Sequence, residues 1–136
     1  MITGTPLHRG TASGTILRLT DPLSFWGGFD PVLGLIIDTS HPQYGESMAG
    51  RIVVMPGSRG SAGTPSVLGE SIRADTGPAA LIITKADRNL TTGALVAAAL
   101  YDIACPVILI DANDIDALPD NTTATITTNG TITVGP

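Results

Sequence analysis

Three short apolar runs, RIVVM at 51–55, AALIIT at 79–84 and PVILI at 106–110, constrain this chain more than any other feature of it. Each has the length and the β-branched content of a buried strand. Helical spacing fills the intervals between them. Val67, Leu68, Ser71 and Ile72 recur at such spacing, Pro65 stands where a first-turn proline is tolerated, and Gly77-Pro78 supplies the stop. LTTGALVAAALYD at 90–102 predicts a second helix. Strands alternating with helices favour parallel pairing through right-handed crossovers, which puts the three runs in one sheet.

The two ends read as β structure of another kind. Residues 11–20, TASGTILRLT, alternate small or polar with apolar side chains and predict a strand, and the turn-rich DPLSFWGGFDP after it predicts a surface loop. The apolar LIID at 35–38 precedes a further loop, TSHPQYGESMAG. A short turn of helix is expected near NDIDAL, and TATITTNGTITV reads as a hairpin in which Asn129-Gly130 would provide the two positive φ angles of a type I′ turn. A second sheet made from the ends would account for both the early strand and the late hairpin. The expected fold class is α/β: one layered β/β/α domain over residues 1–136, with a central parallel sheet and β-rich termini.

Composition narrows the partners. With 43% apolar and 14% charged residues the chain has the make-up of a packed domain, and its net charge of -5 argues against nucleic acid or an acidic membrane surface. Lys85 is the only lysine, and Arg9, Arg18, Arg51, Arg59, Arg73 and Arg88 are scattered, so an anionic ligand must be held by local arrangement. The longest apolar stretch, 94–100, is too short to span a bilayer, and MITGTPLHRG lacks the apolar segment of a signal peptide. A cytoplasmic location is expected. Cys105, the single cysteine, excludes an internal disulfide and is expected as a small buried residue at a strand end.

One segment stands out for chemistry. Gly57-Ser58-Arg59-Gly60-Ser61-Ala62-Gly63 lies between a buried strand and a helix N-terminus, where unpaired N–H groups and the helix dipole favour an anion. The glycines let backbone approach a ligand, Arg59 offers a two-pronged donor to a carboxylate, and two hydroxyls add hydrogen bonds. The plain alternative is a turn that only connects strand to helix. The loop lacks the Lys-Ser/Thr ending of a Walker motif and does not fit G-x-G-x-x-G.

The stretches SFWGGFDPVLGLIIDTSHPQYGESMAGRIVVMPGSRGSAG and SVLGESIRADTGPAALIITKAD resemble the small-subunit or swivel domain of the aconitase X family, with similarity running from about Arg9 through PVILI. The resemblance implies a swivelling domain that closes over a large catalytic subunit carrying an iron–sulfur cluster, the pair removing water from a small hydroxy acid. Family members act on cis-3-hydroxy-L-proline or 5-phosphomevalonate, and the motifs mark the family without separating these substrates. The serine after the loop's second glycine, the proton acceptor in the family, is Ser61 here. Ser58, Arg59, Gly60, Ala62 and Gly63 are the substrate-binding positions implied with it. Relatives often continue with more serine and glycine, whereas this chain has Ala62-Gly63-Thr64-Pro65-Ser66, a departure that bears on the downstream substrate contacts. A serine hydroxyl is a poor base unless its alkoxide is stabilised, which a helix N-terminus, nearby N–H groups and Arg59 can do; Ser58 is the reserve candidate.

The remaining candidates read as structural. His8, His41 and Cys105 are too few ligands to hold a cluster, so no cofactor is expected in this chain and the metal is expected in the partner. His41 is expected to pack in its loop, His8 to be solvated, and Asp21, Asp30 and Asp38 to cap turns. Phe25 and Trp26 are either core aromatics or anchors for a partner, with the interface preferred. Two other functions compete: a non-catalytic anion-binding or carrier module, which usually needs a histidine that this loop lacks, and a purely structural subunit.

Overall fold

A computed structural model describes residues 1–135. In chain order they form β1 (Ile2–Thr3), β2 (Thr5–His8), β3 (Ala12–Arg18), the one-turn α1 (Phe25–Gly28), β4 (Phe29–Asp30), β5 (Leu35–Ile36), β6 (Ile52–Met55), α2 (Thr64–Arg73), β7 (Ala80–Ile83), α3 (Arg88–Tyr101), β8 (Val107–Leu109), a 3₁₀ segment Ala112–Ala117, β9 (Thr123–Ile126) and β10 (Thr131–Val134). The three apolar runs are parallel neighbours, Ile52 opposite Ala80 through Met55 opposite Ile83, then Leu81 opposite Val107. Their uninterrupted apolar character has a direct cause: both faces of these strands are covered. Val53, Met55, Leu81, Ile83 and Val107 point into a core shared with α2 and α3, while Ile52, Val54, Ala80, Ile82 and Ile108 point into a second core on the opposite face. Each fully buried Ile or Leu contributes roughly 2 kcal/mol against exposure.

The second core is closed by the ends of the chain, through Ile2 of β1, Ala124 and Ile126 of β9 and Ile132 of β10. This is the expected β/β/α layering. The layers are joined by hydrogen bonds, because Ala12–Thr15 of β3 pair antiparallel with β9 while Ile16–Arg18 pair parallel with β6. One eight-stranded sheet therefore runs β1-β10-β9-β3-β6-β7-β8-β2, and β4 pairs with β5 outside it.

Several expectations are corrected. DPLSFWGGFDP is not simply a surface loop: Leu23, Phe25 and Phe29 are fully buried on the helix side, with the two phenylalanine rings 5.4 Å apart. Phe25 is a core residue. Only its neighbour Trp26, 65% exposed, faces outward, so the two aromatics divide between the readings offered for them. The Thr127–Thr131 turn is not type I′, since Gly130 (φ +83°) is its only residue with positive φ. Thr127 O accepts from Gly130 N at 2.9 Å, giving a three-residue loop closed by a left-handed glycine. A β-carbon at Gly130 would stand 2.7 Å from the Gly4 carbonyl oxygen, a close approach that demands glycine. His8, on the edge strand β2, is not solvated: its Nε2 is buried without a partner, and burial lowers its pKa.

Cys105 is 1% exposed just before β8, and burial pushes its thiol pKa up to about 12. His41, 5% exposed, is fixed in its loop, its Nδ1 accepting from Gln43 N and its Nε2 donating to the Asp21 carbonyl. Asp30 and Asp38 cap their turns by accepting from Val32 N and Ser40 N, whereas Asp21 serves through its carbonyl and not its carboxylate. Among the described residues no helix is long and apolar enough to cross a membrane.

Candidate functional site

Parallel strands end on the same edge of a sheet, so the connections following β6 and β7 lie side by side there, the usual place for a ligand in such folds. The first connection is the glycine loop, residues 56–63. The second is the short link 84–87, ending at Asp87, whose side chain caps α3 by accepting from Leu90 N at 3.1 Å. The other carboxylate oxygen of Asp87 reaches back into the glycine loop. It accepts from Ser58 N at 2.9 Å and from Ser58 Oγ at 2.6 Å. Burial alone would raise the Asp87 pKa, but the hydrogen bonds from Ser58, Leu90 and Asn89 outweigh it and hold the group below the usual carboxylate value. Gly57, beside this contact, is fixed by its backbone and not by lack of space: its φ of +144° is one that residues with side chains rarely adopt, while a β-carbon there would make only ordinary contact, 3.8 Å from Asp87 Oδ2.

Ser61 occupies the crest of the loop. It is exposed and carries φ +96°, a conformation few residues other than glycine adopt. Its carbonyl accepts from Thr64 N at 3.2 Å and from Asn89 Nδ2 at 3.1 Å, and its Oγ accepts from Gly63 N at 3.1 Å. The hydroxyl therefore receives an N–H at the start of the ten-residue α2, a helix that has no side-chain cap of its own. Both features favour the deprotonated oxygen. The N–H groups of Ser61 and Ala62 have no acceptor among the described residues, so the crest also offers donors to an anion.

The structure brings the expected residues together on one loop but gives them unequal roles. Ser58 is turned inward, donating to Asp87 and accepting from Gly60 N at 3.3 Å, so its hydroxyl belongs to the loop's own scaffold. Arg59 is exposed and fixed at its base, with its amide on the Leu23 carbonyl and its Nε on the Pro22 carbonyl, which leaves the two terminal nitrogens facing out. Gly63 lies under the indole of Trp26: a β-carbon there would be 2.4 Å from Trp26 Cδ1. Asp87 and Asn89 are site residues that the glycine-loop argument does not find. A signal exists for Asp87, which stands three residues before Leu90 at the head of a helical pattern, an N-cap position; Asn89 has none of this kind.

Charge pairing is uneven over the molecule. Arg18, Arg51 and Arg73 are paired with Asp116, Glu46 and Glu70, whereas Arg59, Lys85 and Arg88 have no carboxylate partner among the described residues. Lys85 and Ser58 line a cleft of about 180 Å³ with Pro22, Pro56, Gly57 and Asp87. Among the described residues no group of three or more His, Cys, Asp or Glu is assembled to hold a metal. With its one thiol buried and protonated, this chain does not fit a resident iron–sulfur cluster.

The family model for the aconitase X swivel domain matches residues 1–134. The chain is 40% identical over 91 residues to the phosphomevalonate dehydratase small subunit of Methanothermobacter thermautotrophicus, covering 67% of this chain and 70% of that one. It is 42% identical over 101 residues to the cis-3-hydroxy-L-proline dehydratase of Pseudomonas aeruginosa, covering 74% of this chain but only 17% of that longer protein. The crystal structure of Thermococcus kodakaraensis aconitase X in its holo form superposes with a TM-score of 0.86 at 28% identity, covering 99% of this chain and 98% of that chain.

Proposed function

The chain belongs to the aconitase X swivel-domain family, and from that membership we propose that it is the small subunit of a hydro-lyase acting on a small hydroxy acid, with Ser61 as proton acceptor. The observation that carries this reading is Ser61 itself, whose exposed Oγ takes an N–H bond from Gly63 at an uncapped helix N-terminus. In the elimination, the proton leaves the substrate carbon for the deprotonated Ser61 Oγ, which becomes a hydroxyl, and the C–H electron pair becomes the new C=C bond. The hydroxyl departs from the neighbouring carbon with its bonding pair, to be released as water once a proton is returned to it. The Ser61 and Ala62 amides and the outer nitrogens of Arg59 bind the substrate carboxylate, while Gly60 and Gly63 let it approach the backbone. Departure of the hydroxyl is assigned to a large partner subunit, which in this proposal also holds the iron–sulfur cluster.

The leading substrate is cis-3-hydroxy-L-proline, the compound named for the Pseudomonas aeruginosa relative. A second reading, 5-phosphomevalonate, draws on Lys85, which lines the cleft without a carboxylate partner among the described residues, since a phosphoryl group would give this cation one. The test is to co-express this chain with its large subunit and follow dehydration of each compound by the purified complex. Turnover of one compound identifies the substrate. Turnover of neither, by a complex containing its cluster, would return the loop to a carrier or connecting role.

A further inference from the structure

We infer that the first turn of α3 is a positioning device for the catalytic loop, with Asp87 acting through Ser58 and Asn89 through the Ser61 carbonyl to hold Ser61 with its Oγ outward. This rests on the reading of Ser61 as proton acceptor. A capping carboxylate needs one oxygen for its helix, and Asp87 uses Oδ1 in that way, on Leu90 N. Its Oδ2 takes two donors from a residue 29 positions away, and the 2.6 Å separation from Ser58 Oγ is that of a strong, charge-assisted bond. Ser58 Oγ in turn accepts from Gly60 N, so the tether extends to the residue before Ser61. At Ser61 the carbonyl is held from two sides, by Thr64 N of α2 and Asn89 Nδ2 of α3. A serine at φ +96° persists only where its surroundings fix it, and of the groups that do so Asn89 comes from the first turn of α3 and Asp87, acting through Ser58, from its N-cap.

Asp87→Asn separates capping from tethering. Asparagine caps helices as well as aspartate does, so its oxygen can stay on Leu90 N, while its NH₂ then meets the two Ser58 donors. In the complex of the full chain with its large subunit, kcat for Asp87→Asn should fall roughly 10- to 100-fold with KM within about threefold, the pattern of lost transition-state positioning. The double variant Ser61→Ala/Asp87→Asn should be no slower than Ser61→Ala, because the two act through one atom. Amide exchange on the full chain should speed up across Gly57–Gly63 while α3 stays protected. Asp111→Asn, at the remote cap of the 3₁₀ segment, should leave turnover unchanged. If Asp87→Asn does not fold, Asn89→Ala, which keeps the cap, should slow turnover several-fold and loosen the same amides. Turnover within about twofold of the unmodified complex in the folded variants, or a double variant slower than Ser61→Ala by the whole Asp87 factor, would overturn the inference. Should Ser61→Ala itself retain full turnover, the function proposed for Ser61 fails, and loop exchange alone then decides whether α3 positions the loop.

Discussion

Two connections leave adjacent parallel strands at the same edge of this sheet, and they are built in opposite ways. From β7 to α3 the chain takes four residues and ends on Asp87, a carboxylate that caps the helix. From β6 to α2 it takes eight, three of them glycine, and enters a helix without a side-chain cap through Ser61 in a left-handed conformation. The short link satisfies its helix and has a carboxylate oxygen left over for its neighbour. The long one leaves N–H groups unmet and aims them, with a hydroxyl, at solvent. Local stability and the proposed reactive geometry thus fall to neighbouring turns, and the first is hydrogen-bonded to the second through Asp87 and Ser58.

The comparison is tested most severely at Ser61. In the assembled enzyme Ser61→Ala should lower kcat by roughly 10²–10⁴-fold with little change in KM, the usual worth of a positioned acid–base group. Full turnover would make the long connection as purely structural as the short one. Next in size is Trp26, whose exposed indole covers Gly63. Trp26→Ala should weaken binding of the large subunit by about tenfold or more, as an interface anchor does, and change the free chain's stability by no more than about 0.5 kcal/mol. A large fall in melting temperature with unchanged binding would place the indole's role inside this chain.

The short link should show its contribution through pH. The pKa of Asp87 is depressed in the folded chain, so its stabilisation is fully present above the unfolded carboxylate value of about 3.9 and is lost as pH falls through the folded value. At neutral pH Asp87→Ala should cost about 1–2 kcal/mol for the lost cap and tether. Melting curves of both proteins should keep a constant gap from pH 7 to about pH 4 and converge below it. A gap that survives undiminished at pH 2 would mean that the ionised carboxylate is not what holds the turn.

The same contrast explains what the amino-acid sequence discloses. RIVVM, AALIIT and PVILI are legible because burial on both faces requires apolar residues at every position, and the glycine loop is legible because its backbone needs residues without side chains. β2 is hidden, because an edge strand tolerates Pro6 and so carries a residue that argues against a strand. Phe25 and Phe29 are masked by the turn residues around them. The pairing of Ser58 with Asp87 is the deepest omission: capping logic identifies Asp87 as the start of α3, but nothing in that pattern says that its second oxygen is shared with a loop 29 residues earlier.

The smallest expected effect separates strain from chemistry at one position. If φ +96° is imposed on Ser61 from outside, any β-carbon there carries a steric cost, and glycine at the same place does not. Ser61→Ala and Ser61→Gly remove the same hydroxyl and the same bond to Gly63 N, so both should lose turnover to the same extent. Their stabilities should differ. The steric relief of roughly 1–2 kcal/mol is set against glycine's extra unfolded-state entropy of roughly 0.5–1 kcal/mol, which at the middle of both ranges leaves Ser61→Gly the more stable by about 0.8 kcal/mol. Thermal melts of the two variants measure this difference without reference to substrate or partner. Equal melting temperatures would mean that the crest relaxes once the hydroxyl is gone; a higher value for glycine would show that the loop holds this conformation against the preference of the residue it carries.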